Sequence, residues 1–179
     1  MDAQNTNIRI YIGALIMVIL QLFVGPIISI NAIVPNFLLA YTIVCVVARP
    51  EKMHLGFAFI MGLIYDIVCN GPVGAMAFVM VIFAFIISKV LQRIENINLA
   101  VSLLTIFVSV FFVEVFYGVF QLSLTVNVSF LDIIAYRVLP CTIYDSILAF
   151  IMFAVMIRII APPVTTKTDA TNQNFTNSR

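Results

Sequence analysis

The sequence predicts an all-α polytopic membrane protein with six transmembrane helices and both termini in the cytoplasm. Three observations carry that prediction. Of 179 residues, 63% are hydrophobic and only 9% are charged, whereas a soluble domain carries about a quarter charged residues. The uncharged runs are long: 39 residues between Arg9 and Arg49, and 22 between Asp66 and Lys89, against the roughly 20 apolar residues that a spanning helix needs. The basic residues, finally, fall on one side of a six-span layout. Arg9, Arg49, Lys52, Lys89, Arg93, Arg158, Lys167 and Arg179 share a side and Arg137 alone lies opposite, and excess Lys and Arg mark the cytoplasmic face.

The elements follow from apolar runs and their breakers. Helix 1 is expected near Arg9–Val24, ended by Gly25-Pro26, and helix 2 near Val34–Ala48, with Pro35 tolerated in a first turn. Helix 3 is expected near Met53–Cys69, ended by Asn70-Gly71-Pro72, helix 4 near Val73–Leu91 and helix 5 near Asn98–Leu122. Helix 6 runs near Leu131–Ile160, where Pro140 should kink it or mark a change of direction, because it removes an internal hydrogen bond. Helices 2 and 3 are short for a full crossing and imply local thinning or little tilt. Residues 1–160 thus form one transmembrane domain. Residues 161–179 are Thr- and Asn-rich, with no apolar period, and read as a disordered cytoplasmic tail. The N-terminus lacks a basic signal region and a small-residue cleavage site, so helix 1 is expected to remain as an anchor. Asn127-Val-Ser129 matches a glycosylation sequon, a triplet of little weight alone.

A net charge of +1 gives no basic surface for nucleic acid; membrane lipid is the expected surrounding partner. Cys45, Cys69 and Cys141 are far apart, and His54 is the single histidine, so neither a metal site nor a disulfide framework is indicated. Phosphate-binding loops and nucleophile–base sets are also missing, and the expectation is a non-enzyme with no cofactor.

Ionisable residues in apolar helices are costly and face the bundle interior or water. Four stand out: Asp66, Glu114, Arg137 and Asp145. Counting along the helices places Asp66, Glu114 and Arg137 at similar outer-leaflet depth, with Asp145 nearer the middle. Two readings are open for Arg137. It pairs with Glu114 or Asp66 and ties helices 3, 5 and 6 together, or it snorkels outward while the acids bond to backbone or water. Helix 3 also carries His54, Ala58, Gly62 and Asp66 at steps of four, which lie on one face. Ala58 and Gly62 there form a helix-packing seam, since small residues let a second backbone approach. Phe107, Phe111, Phe112, Phe116 and Phe120 spread around helix 5, as lipid contact and bundle packing require.

The stretch Gly62-Leu-Ile-Tyr-Asp66-Ile-Val-Cys-Asn-Gly71-Pro72-Val-Gly74 resembles the central segment of the bacterial rod shape-determining protein MreD family. Pro35-Asn36 resembles that family's Pro followed by Asp or Asn at the start of helix 2, and Arg49-Pro50-Glu51-Lys52 its short cytoplasmic loop. The resemblance implies a non-catalytic inner-membrane subunit of the cell-elongation and peptidoglycan-synthesis machinery. Such proteins bind the bitopic scaffold MreC and work with the MreB filament, the glycosyltransferase RodA and a class B transpeptidase. MreD-like chains also resemble the substrate-binding subunits of energy-coupling-factor vitamin transporters. A competing solute-binding reading follows, with an outward pocket lined by Asp66, Glu114, Arg137 and Tyr117 or Gln121. Helix 1 carries only one small pair, Gly13-Ala14, which weakens that reading, because such subunits dock their coupling protein through a small-residue surface.

Overall fold

A computed structural model describes residues 2–29, 33–52, 55–69, 72–94, 97–123 and 130–160. These form α1 (Asp2–Phe23), α2 (Phe37–Ala48), a 3-10 turn at Pro50–Lys52, α3 (Leu55–Val68), α4 (Ala75–Leu91) and α5 (Leu99–Leu122). A last continuous rod follows, made of α6 (Phe130–Ile133), a π-helical stretch Ile134–Val138 and α7 (Leu139–Ile160). Among the described residues there is no β-strand, and the six rods match the six expected helices. Two of them, α5 and the last rod, are long and apolar enough to cross a membrane; the other four are shorter apolar helices. His54, Asn70, Gly71, the sequon and the tail lie outside the described residues.

The core is organised around α2. Every residue from Phe37 to Val47 is buried, because α1, α3, α4, α5 and α7 all pack against it. A helix that is apolar all round belongs inside such a cage. Its twelve residues span only about 18 Å, short of the roughly 30 Å hydrocarbon core. The outer helices instead keep large apolar side chains exposed, such as Leu15, Phe59, Phe112 and Ile151, as surfaces facing lipid do.

Cap chemistry sets where the helices begin. α2 starts at Phe37 and not at Val34, because the Asn36 side chain accepts from the Leu39 N–H at 2.9 Å as an N-cap. Asn98 does the same for α5, accepting from Val101 N–H at 2.8 Å. α4 begins at Ala75 and not at Val73, since Gly74 takes the left-handed conformation at φ 91°, open to glycine without a Cβ penalty. α1 begins at Asp2, ahead of the expected Arg9, with no glycine or proline in that polar turn to stop it.

Pro140 does not break its helix. It has no N–H to give the Tyr136 carbonyl, and the turn before it widens: the Leu139 N–H bonds back to Ile134 O, five residues away. Gly118 on α5 lets this wide turn approach, since a Cβ there would come within 3.1 Å of Val138 and 3.2 Å of Ile133.

The α3–α4 hairpin is the tightest pairing. Ala58 is fully buried, and a Cβ on Gly62 would lie 2.5 Å from the Ala77 Cα and 2.7 Å from its N. The contact is backbone to backbone, so no side chain can swing away. At the opposite pole, α1 is held to α2 by the Tyr41 hydroxyl, which donates to Ile10 O at 2.9 Å. Gly13 leaves the space that this phenol occupies.

Two glycines of α3 should therefore respond in opposite directions. Gly62→Val should destabilise the protein by about 1–3 kcal/mol or more, by overpacking. Gly56→Ala, where nothing lies within 4 Å, should stabilise it by about 0.5–1 kcal/mol through helix propensity. Melting temperature in detergent, read for both variants, checks the pair; equal effects would mean that the hairpin contact is looser than described.

Candidate functional site

At one end of the bundle, the buried polar residues converge on two helix N-termini. The first N–H groups of a helix have no intrahelical partner, and within apolar surroundings each one left unsatisfied is costly.

Asp66, at the end of α3, satisfies those of α4. Its carboxylate accepts from Gly74 N–H at 2.9 Å, from Met76 N–H at 3.1 Å and from Ala77 N–H at 3.4 Å. The negative charge also sits at the positive end of the α4 dipole. Pro72, from the same turn, accepts from Ala75 N–H at 3.0 Å. Asp66 thus closes the hairpin that Gly62 and Ala58 zip, and all three residues lie on one face, as their spacing predicts.

The N-terminus of α2 is the deeper one. The Asn36 N–H donates to Asp145 Oδ1 of α7 at 2.7 Å, and the Phe37 N–H to Gln21 Oε1 of α1 at 2.8 Å. The Gln21 amide in turn donates to Pro35 O at 3.1 Å. Two separate helices, α1 and α7, therefore terminate a third, around the Pro35-Asn36 pair. Glu114 of α5 lies beside Asp145. Both are at most 2% exposed.

Arg137 is not paired as depth alone suggests. Among the described residues it makes no ion pair with Glu114 or Asp66; Nη1 is buried without a hydrogen-bond partner, and the guanidinium lies 5.1 Å from the centre of the Tyr117 ring. That separation suits a cation–π contact. Tyr117 also meets Tyr65 edge to face at 5.9 Å and is hydrogen-bonded by Gln121.

Above these groups opens a cavity of about 550 Å³, whose walls include Gln21, Tyr65, Tyr117, Gln121, Tyr136 and Arg137. Among the described residues, Arg137 is its only charged wall residue. Asp66, Glu114 and Asp145 do not reach it; the oxygens of Asp66 and Asp145 are turned to helix ends. Of the residues that the solute-binding reading names, Arg137, Tyr117 and Gln121 line this cavity, whereas both of its acids, Asp66 and Glu114, are absent from the described walls. Among the described residues no cluster of potential metal ligands occurs.

The sequence reading missed Gln21 and Tyr65. Gln21 had a signal: it is the single amide in the apolar part of helix 1. Tyr65 had none, being one aromatic among many.

Asp145→Leu, which strands the Asn36 N–H, should cost about 1–3 kcal/mol, and Asp145→Asn, which keeps an acceptor, clearly less. Denaturation in detergent of the two variants separates them. Reversing Glu114 and Arg137 together should restore nothing lost in either single reversal. Rescue by the double change, read as folded yield, would mean that the two do pair.

No solved structure matches the chain. The model of one family, rod shape-determining protein MreD, matches residues 4–161, which takes in all six helical rods but for the first two residues of α1, and every residue of the polar cluster. The chain belongs to the rod shape-determining protein MreD family.

Proposed function

We propose that this chain is a non-catalytic, multi-pass subunit of the bacterial inner membrane, with both termini cytoplasmic, that binds an MreC-like bitopic scaffold and helps to organise the cell-wall synthases of the elongation machinery. RodA, a class B transpeptidase and the MreB filament are the further partners this reading names. Family membership supports the rod-shape role, and the one-sided distribution of Lys and Arg supports the orientation.

The observation that carries the assembly reading is the use made of the acids. Asp66 and Asp145 are spent on the N-termini of α4 and α2, and Glu114 is buried beside Asp145. The polar cluster is thereby a fastening between helices, not a set of free ligands. The Ala58–Gly62 seam is likewise consumed inside the molecule, against α4. A scaffold helix has instead the exposed apolar faces of the outer helices, whose contact with it would resemble their contact with lipid.

The solute-binding alternative is favoured by one observation, the cavity beside Arg137. Mass spectrometry of everything retained when the chain is purified in mild detergent at native levels separates the two. The expected result is a bitopic coiled-coil scaffold with cell-wall synthases. An ATPase module, or a vitamin-like ligand held one to one, would overturn it. In cells, Asp66→Leu should lower the amount of assembled complex several-fold and round the cells; normal rods with a normal complex would remove the role given to Asp66.

A further inference from the structure

The cavity has two features that the assembly reading does not use. The first is its charge. Among the described residues, Arg137 is the only charged one in the wall, and its Nη1 is buried with no hydrogen-bond partner among them. Such a donor is costly to leave unmade. Glu114 and Asp145 attract the guanidinium from a distance, but among the described residues no acid forms an ion pair or hydrogen bond with it: Asp66 accepts three backbone N–H groups, and Asp145 accepts from the Asn36 N–H. The guanidinium rests instead on the Tyr117 ring, and a Cβ on Gly118 would stand 3.9 Å from Nη1.

The second feature is continuity. Ile33 and Tyr136 line this cavity and also a neighbouring groove of about 720 Å³, which continues along α7 past Pro140, Ile143 and Ile147. Among the described residues, that groove carries no charged one. The π-helical turn joins the two spaces, with Ala135 and Tyr136 on the groove and Tyr136 and Arg137 on the cavity. A polar chamber with one cation, opening onto an apolar channel on a surface that faces lipid, is complementary to an amphiphile. The chamber volume also lies within the roughly 300–1,000 Å³ usual for ligand pockets.

We propose that the cavity and groove together bind one anionic phospholipid of the surrounding bilayer. Its phosphodiester lies against the Arg137 guanidinium, which presents paired donors to phosphate oxygens. The polar side chains of Gln121 and Tyr136 stand at the headgroup, and one acyl chain follows Ile143 and Ile147. This site goes beyond the assembly role and does not depend on which proteins bind elsewhere.

The test uses the full chain, delipidated in mild detergent and titrated with phosphatidylglycerol or phosphatidylcholine of the same acyl chains, with native mass spectrometry as the readout. The expected result is one phosphatidylglycerol per chain, held about tenfold more tightly than phosphatidylcholine. Arg137→Gln should erase that preference and Arg137→Lys should keep part of it. Ile147→Ser should weaken the lipid while leaving the headgroup preference. Equal retention of the two lipids by the wild-type chain would overturn the proposal, and that comparison decides even if Arg137→Gln fails to fold. So would unchanged selectivity in Arg137→Gln, or binding of water-soluble glycerol phosphate as tight as the lipid. A photocrosslinker at position 136 that captures a polypeptide and no lipid in native membranes would overturn it as well.

Discussion

The rest of the structure depends on the termination of α2. This helix is enclosed on all sides, so water cannot satisfy its leading N–H groups, and its start must be completed by side chains from elsewhere in the bundle. Asn36 supplies one acceptor locally, Gln21 supplies another from α1 and Asp145 a third from α7. The apolar contacts of α2 are non-directional and would tolerate sliding or rotation. The bonds from Gln21 and Asp145 would not, since each fixes the helix along its axis and around it. Glu114 sets α5 beside the same fastening.

The hairpin of α3 and α4 solves a similar problem in a different way. There the donors and their acceptor are close in sequence, Asp66 reaching Met76 across ten residues. The helices themselves are brought together by the absence of a side chain at Gly62. Close backbone approach and a carboxylate cap reinforce each other: the first sets the distance between the axes, the second the register. The α1 contact repeats the theme more weakly, with Gly13 making room for the hydroxyl of Tyr41.

Much of this was legible in the residues, and the boundary of what was legible has a physical cause. Hydropathy runs and breakers located all six rods, because helix formation in an apolar medium is governed by local backbone satisfaction. The Ala58, Gly62, Asp66 face was readable because a spacing of four is a property of one helix. The pairing of Arg137 was not. Counting residues gives depth along an axis but not the direction in which a side chain leaves a helix, and it could not show that Glu114 turns to Asp145. Asp145, expected apart from the other three by its depth, proved to be Glu114's neighbour. Gln21 went unread because its partners, Pro35 and Phe37, are main-chain groups, which leave no mark in a sequence.

The bond between Asn36 and Asp145 spans 109 residues. A chain made from its N-terminus therefore releases α2 long before the group that completes it exists. Until α7 arrives, α2 has an open end and is too short to be at ease alone in a bilayer. The first five rods must then be held as a loose, incompletely packed assembly, and the fold locks only when its last helix docks. Such a protein is vulnerable during its own synthesis in proportion to how late that helix appears. Shortening the chain from its C-terminal end should cost far more than the helix removed.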